Sequence, residues 1–541
     1  AQEGEQSWGL NFLRRVRRRN EDSYWAPLAR QFRIHKMSRA GTLVGLESLR
    51  QGRNLTVKPY VRGAHETGEL RDPADRANTG GVGLDVKYGV TPRLSLDLTA
   101  FTDFSQVEVD QEQVNLTRFS LFFPEKRDFF LENEGTFALG DVTERNYRTG
   151  SSLREFKLFH SRRIGLSADR RPIPIAGGGR LSGRIGDLEV GLLEMQTRES
   201  ELGLAENFVV ARVRRTVIGN SDVGVMFVNR QGTSQGSRDR YNRAFGVDAN
   251  FHLLRHMMVN SYVAATDDPQ WRGDAKAAWL QVAWRDPVWN VSGFAKYVGE
   301  AFNPSVGFVR RRAMRQLFAT VGAHPRPASR ALLEVNPYVD VSFIADPRWT
   351  LESRLATGGF GVTFMDGGTL SAEYSDRFER LQAADSIAGV LLAAGDYGFT
   401  EVSLAYRSSG ARWISGSLRV SHGGFYDGTR TTVSATAVLR PDYHVSFDLL
   451  VQRNDLNLGG TAVAADVFGG RIRYALSTEL FTSAFVQYNA LSEELVTNLR
   501  FNFIHAPLSD FFLVYSERRS VSDSVLLDRV ITAKVTKLLA F

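Results

Sequence analysis

The chain of 541 residues contains no cysteine, which excludes disulfides and thiolate metal sites. No run of about 18 apolar residues occurs, so no helix is expected to cross a membrane. The sequence has no H-E-x-x-H and no P-loop, so no catalytic residue, metal or cofactor is assigned, and an enzyme is not the favoured reading. The net charge of +7 fits a mildly basic surface, contact with anionic lipid headgroups, or a cation-lined pore. The basic residues are spread along the chain and match no nucleic-acid motif, so no nucleic-acid partner is expected. The chain is instead rich in aromatics, at 11%, and in glycine, with 49 residues.

Alternation dominates from about Arg53 onward. In "VGLDVKYGV", Val82, Leu84, Val86, Tyr88 and Val90 share one face, opposite Asp85 and Lys87. In "RLSLDLTAF", Leu94, Leu96 and Leu98 oppose Ser95, Asp97 and Thr99. In "YHVSFDLLVQ", Val445, Phe447 and Leu449 oppose Ser446 and Asp448. Period 2 over 8 to 12 residues predicts strands. Short connections with turn residues ("GVTPRL", "RIGDLE", "RDPVWN") alternate with long polar ones ("RQGTSQGSRDRYN"), the pattern of an outer-membrane barrel with short turns on one rim and long loops on the other. The expected fold is all-β: a large antiparallel transmembrane β-barrel of about 24 strands (22–26), with both termini in the periplasm of a bacterial outer membrane. Alternation assigns Asp85, Lys87, Asp97, Asp248, Lys296, Arg419, Asp448, Arg471, Arg473 and Arg500 to the lumen, and Val86, Leu96, Val247, Phe447 and Phe501 to lipid. In "WNVSGFAKY", Trp289 and Tyr297 share the outward face at a spacing that suits two aromatic girdles.

One stretch breaks the pattern. "FSLFFPEKRDFFLENEGTF", Phe119 to Phe137, cannot be a helix through Pro124. Nor can it be a strand, because Phe122–Phe123 and Phe129–Phe130 are adjacent pairs. Strand directions place Phe104 to Ile173 as an excursion that leaves and returns at one rim. So many phenylalanines in solvent would form a large apolar patch, so 104–173 is read as a plug in the lumen, with an external cap as the rival. Phe119, Phe122, Phe123, Phe129, Phe130 and Phe137 are expected to pack together and on the wall, with Glu125, Lys126, Arg127, Asp128, Glu132 and Glu134 paired to polar groups. Glu108, Asp110 and Glu112 alternate as a Ca²⁺ site would, but a solvated face accounts for them. His160 in "LFHSRRIG" reads as a hydrogen-bonded lumen residue.

The motifs "DFSQVEVDQEQVNLTRFSLFFPEKRDFFLENEGTF", "LFHSRRIG", "FNPSVGFVRR", "AGDYGF" and "FFLVYSERR" resemble an outer-membrane barrel family labelled domain of unknown function 5916. Its members usually carry an N-terminal module like family 9 carbohydrate-binding modules. The resemblance runs from about residue 53 to the end. Residues 1–52, with "WGLNFLRRVRRRNEDSYWAPL", resemble only the tail of such a module and a linker, so sugar binding is not carried over and the chain is read as mature or trimmed. The Arg14–Arg19 run reads as a solvated face. The terminal "KVTKLLAF" resembles the C-terminal assembly signal of outer-membrane barrels, with Lys534, Leu539 and Phe541 in the signal positions and Thr536 where the pattern prefers Gly.

These readings imply a channel or transporter for a bulky polar solute such as a saccharide or peptide, occluded or gated by the internal segment. The alternative is a membrane-anchored hydrolase or an assembly scaffold built on a filled barrel. Expected partners are outer-membrane lipid and lipopolysaccharide, the barrel-assembly machinery, and a periplasmic or cell-surface protein.

Overall fold

A computed structural model describes residues 5–16, 21–28, 34–35, 37–47, 54–69, 78–101, 113–141, 155–167, 173–201, 203–237 and 239–541. Its main body is a closed antiparallel barrel of 24 strands. Two interrupted stretches, Thr461–Ala464 with Val467–Ala475 and Leu526–Thr536 with Leu539–Ala540, each occupy one wall position. The first strand, Leu55–Thr67, meets the last through Lys534↔Arg62 and Thr536↔Tyr60, and the pairing continues at Leu539↔Val57. This seam leaves no open sheet edge, which a strand in lipid could not tolerate. The barrel begins and ends on the rim of the short turns.

Alternation explains the wall. Along Trp289–Val298, Trp289 and Val291 are exposed outward, while Asn290, Ser292, Phe294, Lys296 and Val298 are buried inward. The outward face elsewhere is Val, Leu and Phe: Val247, Val263, Leu317, Leu404, Leu499 and Phe501 are all exposed. Trp284, Trp289 and Trp413 lie near the short-turn rim, and Trp349 lies near the opposite one. An apolar band edged by aromatics on a closed barrel is a surface made for lipid.

The inner face departs from the expectation of a uniformly polar lumen. On the strands between Ile175 and Ala323 it carries Met195, Phe208, Val210, Met226, Val228, Tyr262, Trp279 and Phe294, all buried in one cluster with the internal segment. The inner face of these strands thus mixes apolar groups with buried Arg212, Asp248 and Lys296, and period 2 alone cannot tell its apolar part from a lipid face.

Residues before the barrel form two small two-stranded sheets that are no part of the barrel sheet. Gln6–Leu10 pairs with Gly41–Leu46, and Leu13–Val16 pairs with Glu21–Tyr24. Arg15 pairs with Asp22 at 2.8 Å. Arg17, Arg18 and Arg19 lie outside the described residues.

Candidate functional site: the lumen and its plug

The internal segment leaves and re-enters the wall at adjacent points. The Phe101 N–H donates to Ala176 O at 2.9 Å, and Leu94–Ala100 pairs with Ile175–Ile185. Between these points the described residues 113–141 and 155–167 fold inside the barrel. Glu108, Asp110 and Glu112 lie outside the described residues.

The phenylalanines do not form one cluster, contrary to expectation. Phe130 and Phe137 are buried in the wall-side core, and Phe129 meets Phe130 edge-on at 5.2 Å. Phe122 packs on His160 and Phe308, at 4.9 and 5.1 Å. Phe123 lies beneath Arg162. Phe119 sits among the guanidinium groups of Arg118, Arg310 and Arg311. A single aromatic cluster would leave the loop backbone without partners; four separate seats let each turn reach polar groups.

The charged residues between them form a lock. Glu125 accepts from Arg127 Nε at 2.8 Å and Nη2 at 2.7 Å, and from Ser161 Oγ at 2.7 Å. Arg127 Nη1 donates to Ile164 O at 2.7 Å, and its guanidinium lies 4.2 Å over the Phe130 ring. Both side chains are buried. The "PEKR" turn is thereby pinned to the 3-10 turn Ser161–Arg163 of "HSRRIG". Burial alone would push the Glu125 carboxyl up, but the hydrogen bonds and charge of Arg127, with Ser161, outweigh it and hold the group at about 2. His160 donates from Nε2 to Phe123 O at 3.0 Å, the tautomer following from that acceptor. Burial, and then the nearby Lys157 charge, lower it to about 4, so it is neutral at pH 7. It is a hydrogen-bonded interior residue. Lys126 lies beside Glu125, its backbone N–H donating to that carboxylate at 2.9 Å.

After the short helix Asp128–Leu131, where Asp128 is exposed, the chain turns through Asn133 in the left-handed region and enters the 3-10 turn Glu134–Phe137. This tip is tied to the wall. Glu132 pairs with Lys87 and, at 3.4 Å, with Arg180, which also holds Asp97 at 2.8 Å. Glu134 pairs with Lys157 at 3.1 Å. Asn133 donates to Ser182 Oγ at 3.1 Å. Two wall glycines admit the segment. A Cβ on Gly191 would lie 2.9 Å from Phe137, and one on Gly246 would lie 2.6 Å from Leu158. Between the tip and the short-turn rim a cavity of about 620 Å³ remains, lined by Lys87, Asn133, Thr136, Ser182 and Glu189 among others.

A third stretch completes the assembly. Phe156–Lys157 pairs with Phe308–Val309, from the inturned loop after Val298. Leu158 N–H donates to Leu139 O at 2.9 Å, and His160 N–H to Val306 O at 2.7 Å. Asp141 reaches the wall at Lys296 Nζ, 2.7 Å, and Tyr262 Oη, 3.0 Å. Phe156 stacks on Tyr262 at 4.7 Å, and Trp279 and Phe294 continue the aromatic row. Three motifs noted separately in the sequence therefore interlock. Asp141, Lys157, Ser161, Arg180, Tyr262 and Trp279 escaped sequence reading, because each acts through a long-range contact that no local period encodes.

The remaining lumen assignments fall as follows. Asp85 accepts from Thr99 Oγ1 at 2.7 Å. Asp248 pairs with buried Arg212 at 2.6 Å. Arg419 pairs with Glu373 at 3.1 Å, and Arg473 with Asp448 at 2.6 Å. Arg471 and Arg500 lie over the rings of Phe485 and Phe512. Lys534 turns inward, 3.9 Å from the Tyr60 ring, whereas Leu539 and Phe541 are exposed. Cysteines substituted at Arg419 and Arg473 should react rapidly with a charged maleimide in intact membranes. Those at Arg212 and Lys296 should stay protected by the plug, and those at Val247 and Phe501 by lipid. Equal labelling of the four inward positions would contradict a plug that covers Arg212 and Lys296 and leaves Arg419 and Arg473 in water.

No curated protein matches the chain. Solved structures that resemble it include a variant of the ferric enterobactin receptor PfeA from Pseudomonas aeruginosa, at 8% identity and TM-score 0.41, covering 93% of this chain and 82% of that one. Another is the siderophore receptor PirA from Acinetobacter baumannii, at 7% identity and TM-score 0.43, covering 93% and 83%. A third is P. aeruginosa FpvA, at 9% and 0.40, covering 92% and 74%. The stretch 53–174, which holds the first barrel strands and the excursion that forms the plug, matches the family described as Domain of unknown function (DUF5916).

Proposed function

We propose that this protein is an outer-membrane channel or transporter for a bulky polar solute, with the segment 104–173 as a fixed constriction. The observation that carries the reading is an uneven filling of the lumen: the described residues of the segment are locked mainly to the wall between Ile175 and Ala323, with Val114 and Leu116 touching the wall near Phe399 and Phe425, while Arg419, Arg473 and Arg518 keep water contact. In this reading the short-turn rim, with both barrel termini, faces the periplasm. The test is planar-bilayer conductance. Replacing 104–173 by a short Gly/Ser linker keeps the strand pairing across the gap, because Phe101 and Ala176 are already joined. The parent should conduct in small steps and the deleted form in steps several-fold larger. A silent parent with a conducting deletion would make the barrel a sealed platform, which is the scaffold or hydrolase reading.

The C-terminus belongs to the same reading as a signal for barrel-assembly machinery. Phe541 is exposed, and its backbone N–H donates to Leu55 O of the first strand at 2.9 Å. Deleting Phe541 should lower the heat-modifiable, membrane-inserted fraction while leaving the stability of inserted barrels almost unchanged. Normal insertion would remove the assembly role.

A further inference from the structure

We infer that the solute carried along the open side of the lumen is anionic, bearing carboxylate, sulfate or phosphate groups; this deepens the channel reading and rests on it. Two kinds of ion pair line the barrel. On the plugged side, Arg180–Asp97, Arg212–Asp248 and Lys296–Asp141 leave only 1–2% of each cation's side-chain surface exposed. These pairs join strands or hold the plug, and they are closed to a solute.

On the strands from Ile414 to Ser520 three inward pairs are open and asymmetric, whereas a fourth, Arg430–Glu401, is closed, at 16 and 13%. Arg419, Arg473 and Arg518 keep 42, 50 and 45% of their side-chain surface. Their carboxylates, Glu373, Asp448 and Glu494, keep only 17, 28 and 24%. In each pair the guanidinium stands on the water side and the carboxylate lies behind it. The surface offered to a passing solute is cationic even though each pair is formally neutral. An arginine whose carboxylate holds one edge still presents other N–H donors in a fixed plane, the geometry that takes carboxylate, sulfate or phosphate oxygens.

These three arginines are also spread along the path. Arg473 lies two residues from the short-turn end of Val467–Ala475, Arg419 in the middle of Ile414–Phe425, and Arg518 two residues from the long-loop end of Ser509–Ser520. Alternation turns all three inward, since Leu418, Ile472 and Leu513 face outward. A series of guanidinium groups from rim to rim lets an anion pass between weak sites, entering and leaving each. Two of the acids of the plug tip are countered nearby, Glu132 by Lys87 and Arg180 and Glu134 by Lys157, which leaves Asp128 as the exposed acid facing the path.

The experiment uses the full chain in planar bilayers under a KCl gradient. The parent should show a reversal potential of the sign for chloride over potassium. Arg419→Glu, Arg473→Glu and Arg518→Glu together should move it to the cation-selective sign, with Arg→Gln at the same positions falling between. Heat-modifiability checks that each variant is a closed barrel. A cation-selective parent, or a reversal potential unmoved by the triple reversal, would overturn the inference while leaving a channel in place. A silent parent would instead overturn the channel reading, and the wall is then read by calorimetry with inositol hexakisphosphate on detergent-solubilised protein. Binding weakened by on the order of tenfold or more in the triple variant supports an anion-binding wall; absence of binding by the parent overturns it.

Discussion

Replacing Arg127 by Met should free the plug turn without opening the barrel. Arg127 fills three roles at once: it neutralises Glu125, donates to Ile164 O, and covers the Phe130 ring. Its loss leaves a buried carboxylate with Ser161 as its remaining side-chain donor. Breaking a buried pair from one side typically costs about 3–5 kcal/mol, because the remaining charge stays desolvated. Hydrogen exchange in peptides covering 121–137 and 156–165 should therefore accelerate by about 10²- to 10³-fold at pH 7, while the strand peptides stay protected. Adding Glu125→Gln should recover part of the loss, since the stranded charge is then gone. Unchanged exchange in the single variant would show that the turn is held by backbone contacts alone.

Acid should act on the same lock. The Glu125 carboxyl is held at about 2 against an ordinary 4.5, so its stabilisation is complete above pH 4.5 and is lost as pH falls toward 2. A shift of that size is worth about 3 kcal/mol. His160, lowered from 6.5 to about 4, is neutral when the plug is seated. It adds a second loss between pH 6.5 and 4, where a released plug would take up the proton. The parent should thus loosen in two stages on acidification, and Glu125→Gln should abolish the lower one.

How much of this was legible in the sequence follows from which contacts are local. The wall was legible because lipid and water impose period 2: Asp97, Asp248 and Lys296 turn inward, and Val247 and Phe501 face outward. The seam was legible from the terminal strand. The excursion was visible as a break in period, and Pro124 with the paired phenylalanines ruled out both regular elements. The plug's partners were not. Arg180 sits opposite Asp97 across a gap of 83 residues, and Phe156–Lys157 finds its strand partner at Phe308–Val309. Such pairings leave no local mark. Phe208, Trp279 and Phe294 looked like ordinary strand aromatics, because an aromatic buried under a plug and one facing lipid occupy the same period-2 positions in the sequence.

The largest effect on conductance short of deletion should come from the tip. Phe130 and Phe137 are both 5% exposed and anchor the two short turns that carry Glu132 and Glu134 to the wall. Truncating a buried Phe to Ala costs about 3–5 kcal/mol, and the two rings serve one element, so Phe130→Ala with Phe137→Ala should release the tip as a unit. The barrel ladder does not depend on it, so heat-modifiability should hold. Single-channel steps should become larger and noisier, because residues 128–137 stand directly above the cavity at the short-turn rim. A wall substitution separates release of the tip from simple loss of plug volume. Gly191→Val adds side-chain atoms where a Cβ alone would already press on Thr136 and Phe137, at 2.8 and 2.9 Å. Overpacking of that kind costs typically about 1–3 kcal/mol. It should displace the tip with every phenylalanine intact, giving the same noise with a smaller rise in mean conductance. Should both variants conduct like the parent, the ion path does not run past the tip, and the constriction must lie instead where Val114 and Leu116 pack against the opposite wall near Phe399 and Phe425.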